Sequence, residues 1–186
     1  MRPRYRFKGL WLMGSLLAIG VLSTGCGYTT RTMLAPHLKT VYIEPFENKI
    51  NIAALPTRED PFPVYRHSME IDLTNEIVRR FQFTGIMRPS SQEKAHARLE
   101  GELVSFRRDV LRYDASRNVE EWRLNIVVNV RMHDLVKGTV LWEEKNFIGD
   151  TTYVSSGLGA ESEEVALKRA LTDLARRIVE RTIENW

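Results

Sequence analysis

Hydrophobic alternation is strictest between Trp122 and Met132. Trp122, Leu124, Ile126, Val128, Val130 and Met132 take every second position, and Arg123, Asn125, Val127, Asn129 and Arg131 fill the gaps. A period of two predicts a half-buried strand with one face on a core and the other on water or a partner. Its eleven residues at about 3.3 Å each span about 36 Å, which suits a central place in an antiparallel sheet. Other strands are predicted around it. Thr40 to Phe46 alternates Val41 and Ile43 against Tyr42 and Glu44 and is ended by Pro45. Ala97 to Arg112 is strand-like but changes phase: Leu99, Gly101 and Leu103 suit one face, while Val104, Phe106 and Val110 suit the other. A bulge or bend between them would reconcile the two. Val140 to Ile148 is a further strand, with turns at Asp114–Asn118 and Val136–Thr139.

Two stretches change to a helical period. Met69, Leu73, Ile77 and Phe81 predict an amphipathic helix over about Tyr65–Phe83, stopped by Gly85. Ser162, followed by Glu163 and Glu164, predicts an N-cap for a last helix whose stripe is Leu167, Leu171, Leu174, Ile178 and Thr182. The order βαβββα leaves both helices one apolar surface to cover. The expected fold is therefore an α+β two-layer sandwich, two helices on one face of a mostly antiparallel four-stranded sheet. Asn48 to Pro63, with Pro56, Pro61 and Pro63, reads as a long loop, and Ser155–Gly159 as a mobile one.

The N-terminus alters this picture. Arg2, Arg4, Arg6 and Lys8 precede an apolar run from Leu10 to Leu22, then Ser23, Thr24, Gly25 and the only cysteine, Cys26. This is the order of a secretory signal, and a run of thirteen residues that includes Gly14, Ser15 and Gly20 falls short of the roughly 20 apolar residues needed to span a bilayer. Residues 1–25 are expected to be a lipoprotein signal peptide, with Cys26 acylated as a lipid anchor. Residues 26–37 would form a flexible tether and 38–186 a single domain. The four leader cations account for the basic excess: 27 basic and 24 acidic residues become 23 and 24 beyond them. A net charge near −1 argues against nucleic acid as a partner.

Catalytic signals are missing. His37, His67, His96 and His133 are scattered, with no ligand spacing for a metal. Ser155-Ser156-Gly157-Leu158-Gly159 matches neither a nucleophile elbow nor a phosphate loop. No enzyme activity, metal or cofactor is expected. The one chemical bias is arginine around the second hairpin: Arg107, Arg108, Arg112 and Arg117, with Lys137 at the next tip, are candidate phosphate contacts. Across Arg98–Lys137 eight basic residues face seven acidic ones, so much of this region is a mixed charged surface.

With these elements placed, the chain resembles the LptE-like lipopolysaccharide-assembly lipoproteins. The likeness rests on Cys26-Gly27-Tyr28, Thr40-Val41-Tyr42-Ile43-Glu44-Pro45-Phe46-Glu47-Asn48 and Leu73-Thr74-Asn75-Glu76-Ile77-Val78. Tyr113-Asp114, Glu121-Trp122-Arg123-Leu124, Gly138-Thr139-Val140-Leu141-Trp142 and the last helix complete it. The resemblance implies a non-enzymatic lipoprotein at the periplasmic face of the outer membrane. It also implies a partner: such a lipoprotein plugs the LPS-assembly β-barrel LptD, assists its folding, and takes part in inserting lipopolysaccharide into the outer leaflet. Lipopolysaccharide would then be the phosphate ligand of the arginine bend. Two other readings stay open. One is a free-standing periplasmic lipoprotein that binds a glycolipid or envelope polymer; the other is a hydrolase, which rests only on Ser155 and Ser156.

Overall fold

A computed structural model describes residues 34–50 and 68–184. Leader residues 1–25, Cys26 and most of the proline-rich loop lie outside the described residues. The elements are β1 (Thr40–Ile43), β2 (Glu47–Asn48), α1 (Met69–Thr84), β3 (Arg88–Pro89), β4 (Ala97–Tyr113), β5 (Val119–Asp134), β6 (Thr139–Val154) and α2 (Glu163–Glu184). The α+β sandwich is as expected, but the sheet is not. It has six strands in the order β3-β1-β4-β5-β6, with β2 also on β4, and it is mixed. β4–β5–β6 is an antiparallel meander, whereas β1 runs parallel to both β3 and β4.

The reason lies in α1. A chain that leaves β1, crosses one sheet face as a helix and re-enters beside β1 must run in the same direction. The two extra strands are too short to carry a period, and Pro89 is tolerated in β3 because it is a sheet edge. β6 also continues six residues past the expected end at Ile148, to Val154. Its alternation is hidden by a bulge at Lys145–Asn146, where the register against β5 shifts and Asn146 takes φ 55°.

The helical stripes pack as their spacing predicts. Met69, Leu73, Ile77 and Phe81 of α1 are buried, as are Leu167, Leu171, Leu174, Ile178 and Thr182 of α2. They cover Leu99, Leu103, Leu124, Ile126, Val128, Val130 and Met132 of the sheet. The Gly85 N–H bonds the Phe81 carbonyl at 3.0 Å with φ 65°, ending α1. The Ser162 hydroxyl accepts from the Val165 N–H at 3.3 Å, starting α2. Gly149 lets α2 lie close, since a Cβ there would come within 2.9 Å of Leu174 Cβ.

β6 is a sixteen-residue edge, and α2 guards it. Arg177 and Arg169 donate to the Ile148 and Thr152 carbonyls, each at 2.7 Å, and the Glu161 N–H bonds the Val154 carbonyl at 2.9 Å. With the bulge, these bonds protect an edge that would otherwise template another strand.

Candidate functional site

The helices cover one sheet face; the other is polar, and no described element covers it. Its side chains are matched in pairs across the strands. Glu100 of β4 meets Arg98 at 3.0 Å, Arg131 of β5 at 3.3 Å and His133 Nε2 at 3.0 Å. Arg131 continues to Glu143 of β6 at 2.9 Å. Asn129 donates to Glu102 at 3.3 Å and Asn125 to Asp109 at 2.6 Å. Burial pushes the Glu100 carboxyl up, but the His133 bond and the charges of His133, Arg98 and Arg131 outweigh it and hold it below the usual carboxylate range. The Arg131 bond does the same for Glu143, against a smaller opposing effect of burial. Beside this lattice lies a groove of about 340 Å³ between Glu44, Glu47, Glu102, Asn129 and Lys145. Five glutamates line it with Arg131 and Lys145, so it is unsuited to a phosphate.

The five candidate cations do not converge. The bulge between Leu103 and Ser105 moves even-numbered residues of β4 onto the helix side, so Phe106, Arg108 and Val110 oppose Ile126, Leu124 and Trp122. Arg108 therefore lies inside the sandwich's rim. Its guanidinium is 2.5 Å from Glu163 at the start of α2 and 4.3 Å from the Trp122 ring centre. Tyr153 donates to the same carboxylate at 3.3 Å. Arg108 is a structural staple between sheet and helix. Arg107 is on the polar face, exposed beside Asn125. Arg112 sits 3.5 Å from both Glu120 and Glu121. Arg117 is at the turn, with φ 64°. Lys137 is at the β5–β6 tip, the opposite end of sixteen-residue β5, about 50 Å away at the usual rise per residue.

Of the candidate cations, Arg107, Arg112 and Arg117 share the distal β4–β5 hairpin, Arg112 already beside two glutamates. Composition alone hides what lies beside them. Val110, Leu111 and Tyr113 are 37%, 42% and 59% exposed, and Leu158 in the neighbouring loop is fully exposed. That loop is tied to the hairpin by the Ser155 N–H and hydroxyl, which donate to Glu120 and Val119 carbonyls. The tip is closed by its own turn: Asp114 Oδ1 accepts the Asn118 and Ser116 N–H groups at 2.8 Å, and the Asn118 bonds foremost hold this carboxyl below its usual range. A hairpin that carries exposed arginines and bare apolar side chains can meet an amphiphile that has both phosphates and acyl chains. The signal missed in the sequence was Leu111 and Tyr113, apolar residues beyond the reach of either helix.

Ser155 is engaged with backbone carbonyls and has no base beside it among the described residues. No cluster of three or more histidine, cysteine or acidic side chains there could hold a metal. No described helix is long and apolar enough to cross a membrane.

The family model for lipopolysaccharide assembly, LptE, matches residues 38–182. The chain belongs to the LptE lipopolysaccharide-assembly family. The match covers every described strand and nearly all of α2. Among solved structures, a minor lipoprotein of Acinetobacter baumannii is 18% identical over 80% of this chain and 92% of its own, with TM-score 0.50. A protein of Xanthomonas campestris is 15% identical over 80% of this chain and 88% of its own, with TM-score 0.50. A hypothetical protein of Chlamydia trachomatis is 14% identical over 79% of this chain and 96% of its own, also with TM-score 0.50. At these identities the likeness is one of fold. No curated protein sequence matches.

Proposed function

We propose that this LptE-family chain is an outer-membrane lipoprotein, anchored through acylated Cys26 at the periplasmic face. It plugs the LPS-assembly barrel LptD, assists its folding, and takes part in inserting lipopolysaccharide into the outer leaflet. The observation that carries this reading is the polar sheet face within a family-matched domain. A barrel lumen is polar, and a plug for it needs a firm surface whose hydrogen-bonding groups are held in place yet open to a partner. The lattice around Glu100, Arg131 and Glu143 has that character. The distal hairpin, with Arg107, Arg112, Arg117, Leu111 and Tyr113, is the part that would touch lipopolysaccharide.

The role is non-enzymatic: the chain works by fitting and positioning. Affinity capture of the tagged, full-length chain from detergent-solubilised outer membranes should bring down a large β-barrel protein. A membrane fraction in which the chain is abundant and no barrel is recovered would refute the plug. The free-standing carrier reading draws on the same amphiphilic hairpin. Saturable binding of lipopolysaccharide with no barrel recovered would favour it.

A further inference from the structure

The end of the sheet opposite the proposed lipopolysaccharide-contacting hairpin has its own character. The β1, β3 and β4 N-termini, the β5 C-terminus and the β6 N-terminus all meet there, as the registers Thr40↔Arg88, Ala97↔Asp134 and Asp134↔Thr139 require. Four cations line this end: Lys39, Arg88, Lys94 and Lys137 are all exposed, and none forms an ion pair among the described residues. Most other described arginines lie within 4 Å of a carboxylate, as at Glu100, Glu143, Glu161 and Glu180. The acids nearby are few: Glu93 is exposed in the turn before β4, and Asp134 is buried and bound. The cations form a row along this end of the sheet from β3 to the β5–β6 tip, where Lys137 sits beside Leu135 and Val136, 40% and 60% exposed, with Val140 at 51% on the adjoining strand.

The chain's own route leads to this tip. His37 Nε2 is 2.7 Å from Asp134 Oδ2, while Asp134 Oδ1 accepts the Val136 and Lys137 N–H groups, each at 2.9 Å. Leu34 and Ala35 pack on the core just before it. The segment expected to be a free tether is therefore pinned at its end, directly against the β5–β6 turn. Cys26 is eleven residues before His37, so a lipid attached there cannot lie more than about 40 Å from this tip, at the limit of a fully extended chain.

We infer that the β5–β6 tip is a membrane-contacting surface: Leu135 and Val136 enter the headgroup region of an anionic phospholipid leaflet, and Lys39, Arg88, Lys94 and Lys137 face its phosphates. Exposed apolar residues at one end of a row of unpaired cations are what such a surface attracts. The inference rests on the lipid-anchor reading, because an anchor at Cys26 keeps this end within reach of the bilayer. It orients the molecule, with the β5–β6 tip at the leaflet and the β4–β5 hairpin pointing away.

The test uses the full-length chain, confirmed by mass to be acylated at Cys26, with Val136→Cys, so that the new thiol is the one free for labelling. It carries an environment-sensitive fluorophore and is reconstituted on vesicles of phosphatidylcholine with phosphatidylglycerol. The expected result is a blue shift and quenching by bromine-labelled acyl chains at position 136. The same label at Ser116→Cys on the opposite tip should stay in water. Lys94→Gln with Lys137→Gln should weaken the contact equilibrium about 30-fold, at about 1 kcal/mol per cation near an anionic surface. A water-exposed label at 136 on an acylated chain overturns the tip assignment and leaves the anchor intact. So does a label that is shielded only when a barrel protein is added and that lipid does not quench. A His-tagged Cys26→Ala chain held on nickel-chelating lipid separates the two ideas. Quenching at 136 there, with an unmodified cysteine in the native chain by mass, sustains the tip and removes the anchor.

Discussion

Arg107 and Arg108 are neighbours in sequence with opposite tasks, and replacing each by alanine should separate them. Arg108 bridges β4 to Glu163 of α2 and covers the Trp122 ring, with only 21% of its side chain exposed and 24% of Glu163's. The ion pair contributes up to about 1 kcal/mol and the stacked guanidinium about 0.5 to 2 kcal/mol. Packing of the aliphatic stem adds to this, while the positive end of α2 keeps Glu163 partly compensated once Arg108 is gone. Arg108→Ala should therefore destabilise by about 2 kcal/mol, which lowers Tm by about 4 to 8 °C for a protein of this size. Arg107→Ala, on the exposed polar face, should stay within about 0.5 kcal/mol. Urea unfolding of both variants supplies the comparison, with an unchanged m-value as the check that the denatured state is the same. Adding Glu163→Ala completes a double-mutant cycle, in which a coupling near 1 kcal/mol is expected. Equal losses for the two arginines, or no coupling between Arg108 and Glu163, would refute the staple.

Gly149→Val should destabilise by about 1 to 3 kcal/mol, because its Cβ alone would stand 2.9 Å from Leu174 Cβ on the closely packed α2; a wild-type Tm would count against that packing. Burial pushes the Asp134 carboxyl up, but the bonds from His37, Lys137 and Val136 outweigh it and leave it below its ordinary value. A depressed acid contributes stability that is complete above its unfolded pKa of about 3.9 and is lost as pH falls through the lower folded value. Thermal melts should therefore drop more steeply below about pH 4 for the wild type than for Asp134→Asn, and parallel curves would remove Asp134 from that account. Cys26→Ala should release the chain from the membrane fraction into the soluble periplasmic fraction, read by fractionation together with the mass of the mature N-terminus.

Spacing alone identified much of this molecule. The four-residue repeats of Met69, Leu73, Ile77 and Phe81 and of Leu167, Leu171, Leu174 and Ile178 each mark a buried stripe, and all eight side chains are in the core. A helix buries one stripe and a half-covered strand one parity, so the apolar faces, the change of phase in β4, the stop at Gly85 and the start at Ser162 were legible residue by residue. Tertiary structure decided what depends on distant partners. β2 and β3 exist because β4 and β1 offer them edges, and β1 is parallel because α1 carries the chain back across the sheet. The candidate cations illustrate the same division. Positive charge marked Arg107, Arg108, Arg112, Arg117 and Lys137 as one group, but the bulge turned Arg108 inward to Glu163, and β5 put Lys137 at the other end of the sheet. A local pattern states which face a residue occupies; only the assembled sheet states what lies opposite it, because electrostatic and packing energies depend on separations through space.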